Sequence, residues 1–286
     1  MIILNEIPLK SRNKFEKVLT ELLPSELKVI KGLFKLGVRF GIDFNPKLYR
    51  YSTFSIENNR IISLKILDSE ISKLPDSIEN LKKLKTIDIS NTQLETLPHN
   101  IRELINLSSL YLSNNQISYL PESFGNLVNL TKLDLGNNPI KTLPSTFKNL
   151  EQLESFEINV NKSFEFDYEI FNNLTSLTQV CLNFNNSTEI PESIGNLKYI
   201  ETLTLKGVKI ASIPNSLVKC KKLSGLYLET LKSKKLPKIL LNLDSLIIVG
   251  LSGVIANNLV AGYKRDKQSD YIKKELEKKD IQMIIP

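Results

Sequence analysis

Residues 107–150 read LSSLYLSNNQISYLPESFGNLVNLTKLDLGNNPIKTLPSTFKNL, and the reading of this stretch decides the fold. The same pattern occurs in it twice. Leu107, Leu110, Leu112, Asn115, Ile117, Leu120, Pro121, Phe124 and Leu127 are answered 23 residues later by Leu130, Leu133, Leu135, Asn138, Ile140, Leu143, Pro144, Phe147 and Leu150. A fixed step of this size marks an array of stacked supersecondary units.

The spacing has a direct physical reading. Leu110 and Leu112 are two apart, the period of a strand with one buried face, so both point inward and Tyr111 points out. The Asn three residues after the second Leu turns the chain, because its amide can pair backbone groups that a tight turn leaves without partners. Leu120 and Phe124 cover the core from the other side. Pro121 has a fixed φ and no N–H, which suits the first position of a short helical turn. One unit alone cannot bury its apolar face, but stacked units share a continuous core.

The spacing L-x-x-L-x-L-x-x-N-x-L resembles the leucine-rich repeat family. The tail L-P-x-x-I/F-x-x-L resembles its 23-residue class, found in bacterial repeat proteins, plant intracellular repeat proteins and Ras-binding scaffolds. The resemblance implies an α/β solenoid, a right-handed horseshoe with a single parallel concave sheet of about nine strands. Function has to be read from sites on that fold and not from the fold itself.

Working outward, the landmarks recur from Ile61 to about residue 260, as eight full units and a partial ninth. Strand pairs include Leu64/Ile66, Ile87/Ile89, Leu203/Leu205 and Leu226/Leu228. The turn Asn occurs only in the middle units, at Asn115, Asn138, Asn161 and Asn185. Earlier units carry Ser69 and Thr92, which still hydrogen-bond. Later ones carry Val208, Leu231 and Val254, which do not, so those turns must satisfy their backbone in another way. The fifth unit lacks the Leu-Pro pair, and residues 159–171 carry Phe164, Phe166, Tyr168 and Phe171. These aromatics either fill the space of the missing pair or form a secondary partner-binding bulge; irregular convex segments are common in such arrays.

Residues 1–60 read as an N-terminal cap. A helix runs over Lys14–Leu23 and stops at Pro24; a second, N-capped by Ser25, runs to about Leu36. Alternation from Tyr51, a turn at Asn58-Asn59 and a return over Arg60–Ile66 predict a hairpin into the first repeat. Residues 261–286 read as a C-terminal cap, with Ser269 capping a helix over Asp270–Lys279 and Ile281, Met283 and Ile285 forming a last strand. Such caps shield the core and cover the open sheet edge.

The chain has 286 residues and a net charge of +7, with 11 Lys/Arg against 6 Asp/Glu in residues 1–60 and 7 against 5 in residues 261–286. The repeats balance at 20 of each, so the basic excess sits in the ends. No Arg-rich or aromatic-interleaved patch points to nucleic acid, and a solvated surface is the expected role of this charge. Two cysteines exclude a disulfide framework. No signal-peptide pattern opens the sequence, and the longest nearly apolar run, Leu246–Ala256, is too short to span a bilayer. A cytoplasmic monomer is the expectation, although export without a leader would leave the same sequence.

Catalytic chemistry finds little support. The single histidine, His99, has no cysteine cluster beside it, so metal-ligand spacing is missing. Cys220 occupies a core leucine position, and Cys181 lacks a histidine to activate it. There is neither a phosphate loop nor a serine nucleophile elbow. A non-enzyme without cofactor or metal is therefore expected. Its binding surface should be the concave face, where the outward residues include Asp88, Tyr111, Lys132, Asp134, Glu157, Phe184, Tyr227 and Glu229. Exposed aromatics among fixed charges suit protein recognition. Asp88, Asp134 and Glu157 read as a column of carboxylates that a Lys/Arg-rich partner would relieve. The alternative is a carbohydrate- or matrix-binding adhesion protein at the cell surface.

Overall fold

The structure is a computed structural model that describes residues 16–40, 52–67, 69–159, 173–183, 190, 192–206, 213–231, 236–253 and 267–284. The chain divides into two units, Met1–Leu150 and Glu151–Pro286.

In the first unit, β1 (Thr53–Glu57) and β2 (Arg60–Lys65) form an antiparallel hairpin. The hairpin turns on Asn58 and Asn59 at φ 50° and 60°, left-handed values that Asn tolerates. Then β3 (Thr86–Asp88), β4 (Ser109–Tyr111) and β5 (Lys132–Leu135) each add parallel to the strand before. This register lines up Leu64, Ile87, Leu110 and Leu133 on the inner face, all buried. Opposite the strands run 3-10 helices at Asp76–Asn80, His99–Glu103, Glu122–Asn126 and Ser145–Asn149. Pro75, Pro98, Pro121 and Pro144 each stand at the N-cap, one position before the helix and with extended ψ. The rings of Phe124 and Phe147 stack within this layer at 6.4 Å.

The turn asparagines lock each unit onto the previous one. Asn138 is buried; its Nδ2 donates to Leu112 O at 2.8 Å and Leu135 O at 3.1 Å, and its Oδ1 accepts from Ile117 N at 3.0 Å. Asn115 repeats this with Leu112 O at 2.9 Å and Leu94 N at 2.9 Å. Of the earlier substitutes, Thr92 donates to Asn115 Oδ1 at 2.6 Å, whereas Ser69 Oγ is buried with no partner among the described residues. Asn161, Asn185, Val208 and Val254 lie outside the described residues.

The N-terminal helices are at residues 16–21 and at α1 (Pro24–Lys35). Ser25 is not the cap. The helix begins at Pro24, with Leu23 as an N-cap that makes no side-chain bond, because proline's fixed φ and missing N–H suit the first helical position. Val29, Ile30 and Leu33 are completely buried. Glu26 is buried too; it accepts from Arg60 Nε at 2.6 Å and Ile61 N at 2.9 Å, so its carboxylate ties α1 to the start of β2.

In the second unit, β6 (Ser155–Asn159), β7 (Gln179–Asn183), β8 (Thr202–Lys206), β9 (Gly225–Leu231), β10 (Ile248–Gly253) and β11 (Gln282–Ile284) are parallel and in sequence order. The 3-10 helices Glu192–Asn196, Asn215–Lys219 and Lys238–Asn242 follow the same plan. Helix α2 spans Lys267–Lys278 and buries Ile272 and Leu276. Here Ser269 lies inside the helix and is not its cap. Its Oγ accepts from Leu236 N at 3.0 Å, which docks the helix onto the last repeat. Both units thus have the solenoid architecture that the repeat predicts. The Phe164–Phe171 segment lies outside the described residues.

Candidate functional site

Alternation along each strand places three residues on its outward side, and the parallel register aligns them into rows. In the first unit the central row is Lys65, Asp88, Tyr111 and Asp134. One flanking row is Ser63, Thr86, Ser109 and Lys132. On the other flank Ser113 Oγ donates to Ser90 Oγ at 3.3 Å. Tyr111, half-buried, therefore has a carboxylate residue on each side in its own row and Thr86, Ser109 and Lys132 in the row beside it.

The carboxylates are more committed than the sequence suggested. Asp88 pairs with Lys65 Nζ at 3.0 Å and accepts from Ser90 N at 3.2 Å. Asp134 Oδ1 accepts from Gly136 N at 2.8 Å. Both acids brace the turn that follows their own strand. Residues 91, 114 and 137, all asparagine, take φ of 60°, 57° and 53° in those turns. Asn137 Nδ2 also donates to Asn114 Oδ1 at 2.8 Å.

For Asp88 and Asp134 the register corrects the expected column of mutually repelling carboxylates. Tyr111 stands between Asp88 and Asp134, so the two are two strand spacings apart, about 10 Å. At that distance, repulsion between half-exposed groups is largely screened.

In the second unit the central row is Glu157, Cys181, Thr204, Tyr227, Gly250 and Ile284. Glu157 is paired as well, with Lys206 Nζ 3.8 Å from its Oε1. The pair reaches across the strand that carries Cys181. Burial, and next the charge of Glu157, push the Cys181 thiol up to about 12, with Lys206 opposing. Burial pushes Cys220 up to about 11. Neither is a thiolate near neutral pH, so neither is poised as a nucleophile. Glu229 continues β9 opposite Lys206. Phe184, Phe164, Phe166 and Tyr168 lie outside the described residues.

One feature of this face went unread in the sequence. A Cβ on Gly250 would collide with Tyr227 Cδ1 and sit 2.9 Å from its Cε1. A Cβ on Gly225 would lie 3.5 Å from Tyr227 Cε2. The ring therefore packs over Gly250 and reaches Gly225, two positions with no side chain in its way. The signal was present as a glycine 23 residues after Tyr227, at its register partner on the next strand.

Among the described residues, no three His, Cys, Asp or Glu side chains gather as a metal-binding group. No helix there is long and apolar enough to cross a membrane.

Comparison with known proteins agrees with this architecture. A family model described as "Leucine Rich repeats (2 copies)" matches residues 105–149. A leucine-rich repeat protein of Leptospira interrogans superposes with a TM-score of 0.55 at 23% identity, covering 83% of this chain and 61% of its own. An internalin from Listeria monocytogenes gives 0.54 at 18% identity, covering 69% of this chain and 59% of its own. The chain thus spans less than two thirds of the length of either structure, and these likenesses concern the fold. No curated protein matches the chain.

Proposed function

We propose that this leucine-rich repeat chain is a non-enzymatic interaction scaffold whose outward strand face binds a protein partner. The observation that carries the proposal is Tyr111: a half-buried ring seated between Asp88 and Asp134 in the central outward row, with Thr86, Ser109 and Lys132 in the row beside it. A rigid aromatic with two side-chain torsions loses little entropy on contact, and such residues dominate binding energies at protein interfaces.

Asp88 is already neutralised by Lys65. Asp134 uses one oxygen on its own turn and keeps the other for an incoming Lys or Arg. The fitting partner therefore presents a basic side chain next to an apolar contact for Tyr111, and Lys132 sets a positive limit beside it. In the second unit, taken by itself, Glu157, Phe184, Tyr227 and Glu229 are the candidate contacts, with the Phe164, Phe166 and Tyr168 segment as a secondary candidate. A monomeric, cytoplasmic protein completes this reading.

Site-specific photo-cross-linking tests it. A benzophenone amino acid at position 111 should capture a discrete protein from lysate. The same group at position 119, whose tyrosine is 53% exposed but lies off the strands, should not. Equal products at both positions would refute the assignment.

A further inference from the structure

The outward face around Tyr227 differs from the one around Tyr111 in chemistry as well as shape. Its ring packs over Gly250 and reaches Gly225, an arrangement in which the aromatic covers backbone that has no side chain of its own. Its register partners on the adjacent strands are uncharged, while Glu229 follows two residues later on β9 itself. Thr204 is opposite Tyr227 on β8, Thr202 is opposite Gly225, and Gln179 is opposite Thr202 on β7. On the far side, Ile284 pairs with Gly250 and Gln282 with Ile248. Lys206 on β8, opposite Glu229, is paired with Glu157 of β6.

We propose that this surface is a carbohydrate subsite, in which a neutral pyranose ring stacks on the exposed face of Tyr227. An aromatic face carries the negative end of the ring quadrupole, and the axial C–H bonds of a pyranose present partial positive charge to it. The hydroxyls and amides of Thr202, Thr204, Gln179 and Gln282 supply both donors and acceptors, as an equatorial ring of sugar hydroxyls requires. Gly250 is a positioning residue: any side chain there would tilt the ring and remove the flat face. The subsite is independent of the protein-binding reading of the Tyr111 face.

The test uses the intact chain with cellohexaose, chitohexaose and maltohexaose, read by saturation-transfer NMR and titration calorimetry. At least one saccharide should bind saturably. Tyr227→Ala should weaken it by about tenfold or more, Tyr227→Phe should retain it, and Gly250→Val should lose it with the circular dichroism unchanged. Tyr119→Ala should have no effect. If Gly250→Val does not fold, the Tyr227→Ala and Tyr227→Phe pair decides. Absence of binding by all three saccharides, or binding indifferent to Tyr227→Ala, overturns the proposal. Tyr227-dependent binding of a triarginine peptide in place of the saccharides overturns it in favour of a peptide site.

Discussion

Asn138 Nδ2 donates to the carbonyl of Leu112, 26 residues back in the chain, and Asn115 Nδ2 reaches Ile89 across the same separation. Each amide satisfies its own turn and the previous one together. The turn spacing, and with it the spacing of the outward rows, is therefore set by buried side-chain hydrogen bonds. Asn138→Ala strands backbone groups of both turns and is expected to cost roughly 1–3 kcal/mol in urea unfolding. Ser69→Ala removes a buried hydroxyl without a partner and is expected to be neutral or slightly stabilising. Equal losses at the two positions would contradict this division.

The buried Glu26 carboxylate is held by Arg60 and the Ile61 amide. Removing it leaves Arg60 near a low-dielectric site without its partner. Glu26→Ala should lower stability by roughly 1–3 kcal/mol, because the buried Ile61 N–H loses its acceptor while Arg60, 26% exposed, turns to solvent. A double-mutant cycle with Arg60→Ala should show strong coupling. Additive effects would mean that α1 does not dock through this pair.

Both cysteines should be inert in the native protein. With folded pKa values pushed to about 12 at Cys181 and about 11 at Cys220, disulfide-exchange reagents at pH 8 should label neither until denaturant is added. The linkage has a definite sign. These pKa values lie above the unfolded value, so the contribution is fully present below the ordinary thiol range. It is lost as pH rises through that range toward the folded values, because the unfolded thiol ionises first. Rapid native labelling would show that the thiols are not shielded as described.

Close packing of the 3-10 layer gives a further expectation. A Cβ at Gly125 would collide with the Thr146 carbonyl and lie 2.5 Å from Thr146 Cβ. The neighbouring atom is backbone and cannot swing aside, so Gly125→Ala should cost roughly 1–3 kcal/mol, as overpacking does. Unchanged thermal stability would show that adjacent helices have room to separate.

The repeat was legible because its cause is periodic. Leu110 and Leu112 point inward with Tyr111 outward between them, and their equivalents 23 residues away repeat this in sequence just as in space. What stayed hidden depends on distant partners. Glu26 finds Arg60 34 residues later, and Ser269 serves Leu236 instead of capping its own helix. The outward rows were also legible, but their electrostatics were not. Asp88 and Asp134 look like free charges until the turn amides of Ser90 and Gly136 are seen on them. Reading Tyr227 against Gly250 required the register as well as the period.

The central claim is that Tyr111 anchors a protein partner on the strand face of the first unit. The most direct test is the dissociation constant of the cross-linked partner for Tyr111→Ala and for Tyr119→Ala, measured by titration with the fold verified by circular dichroism. Tyr111→Ala should weaken binding by at least about tenfold and Tyr119→Ala by less than about twofold. Undiminished affinity for Tyr111→Ala would contradict the claim.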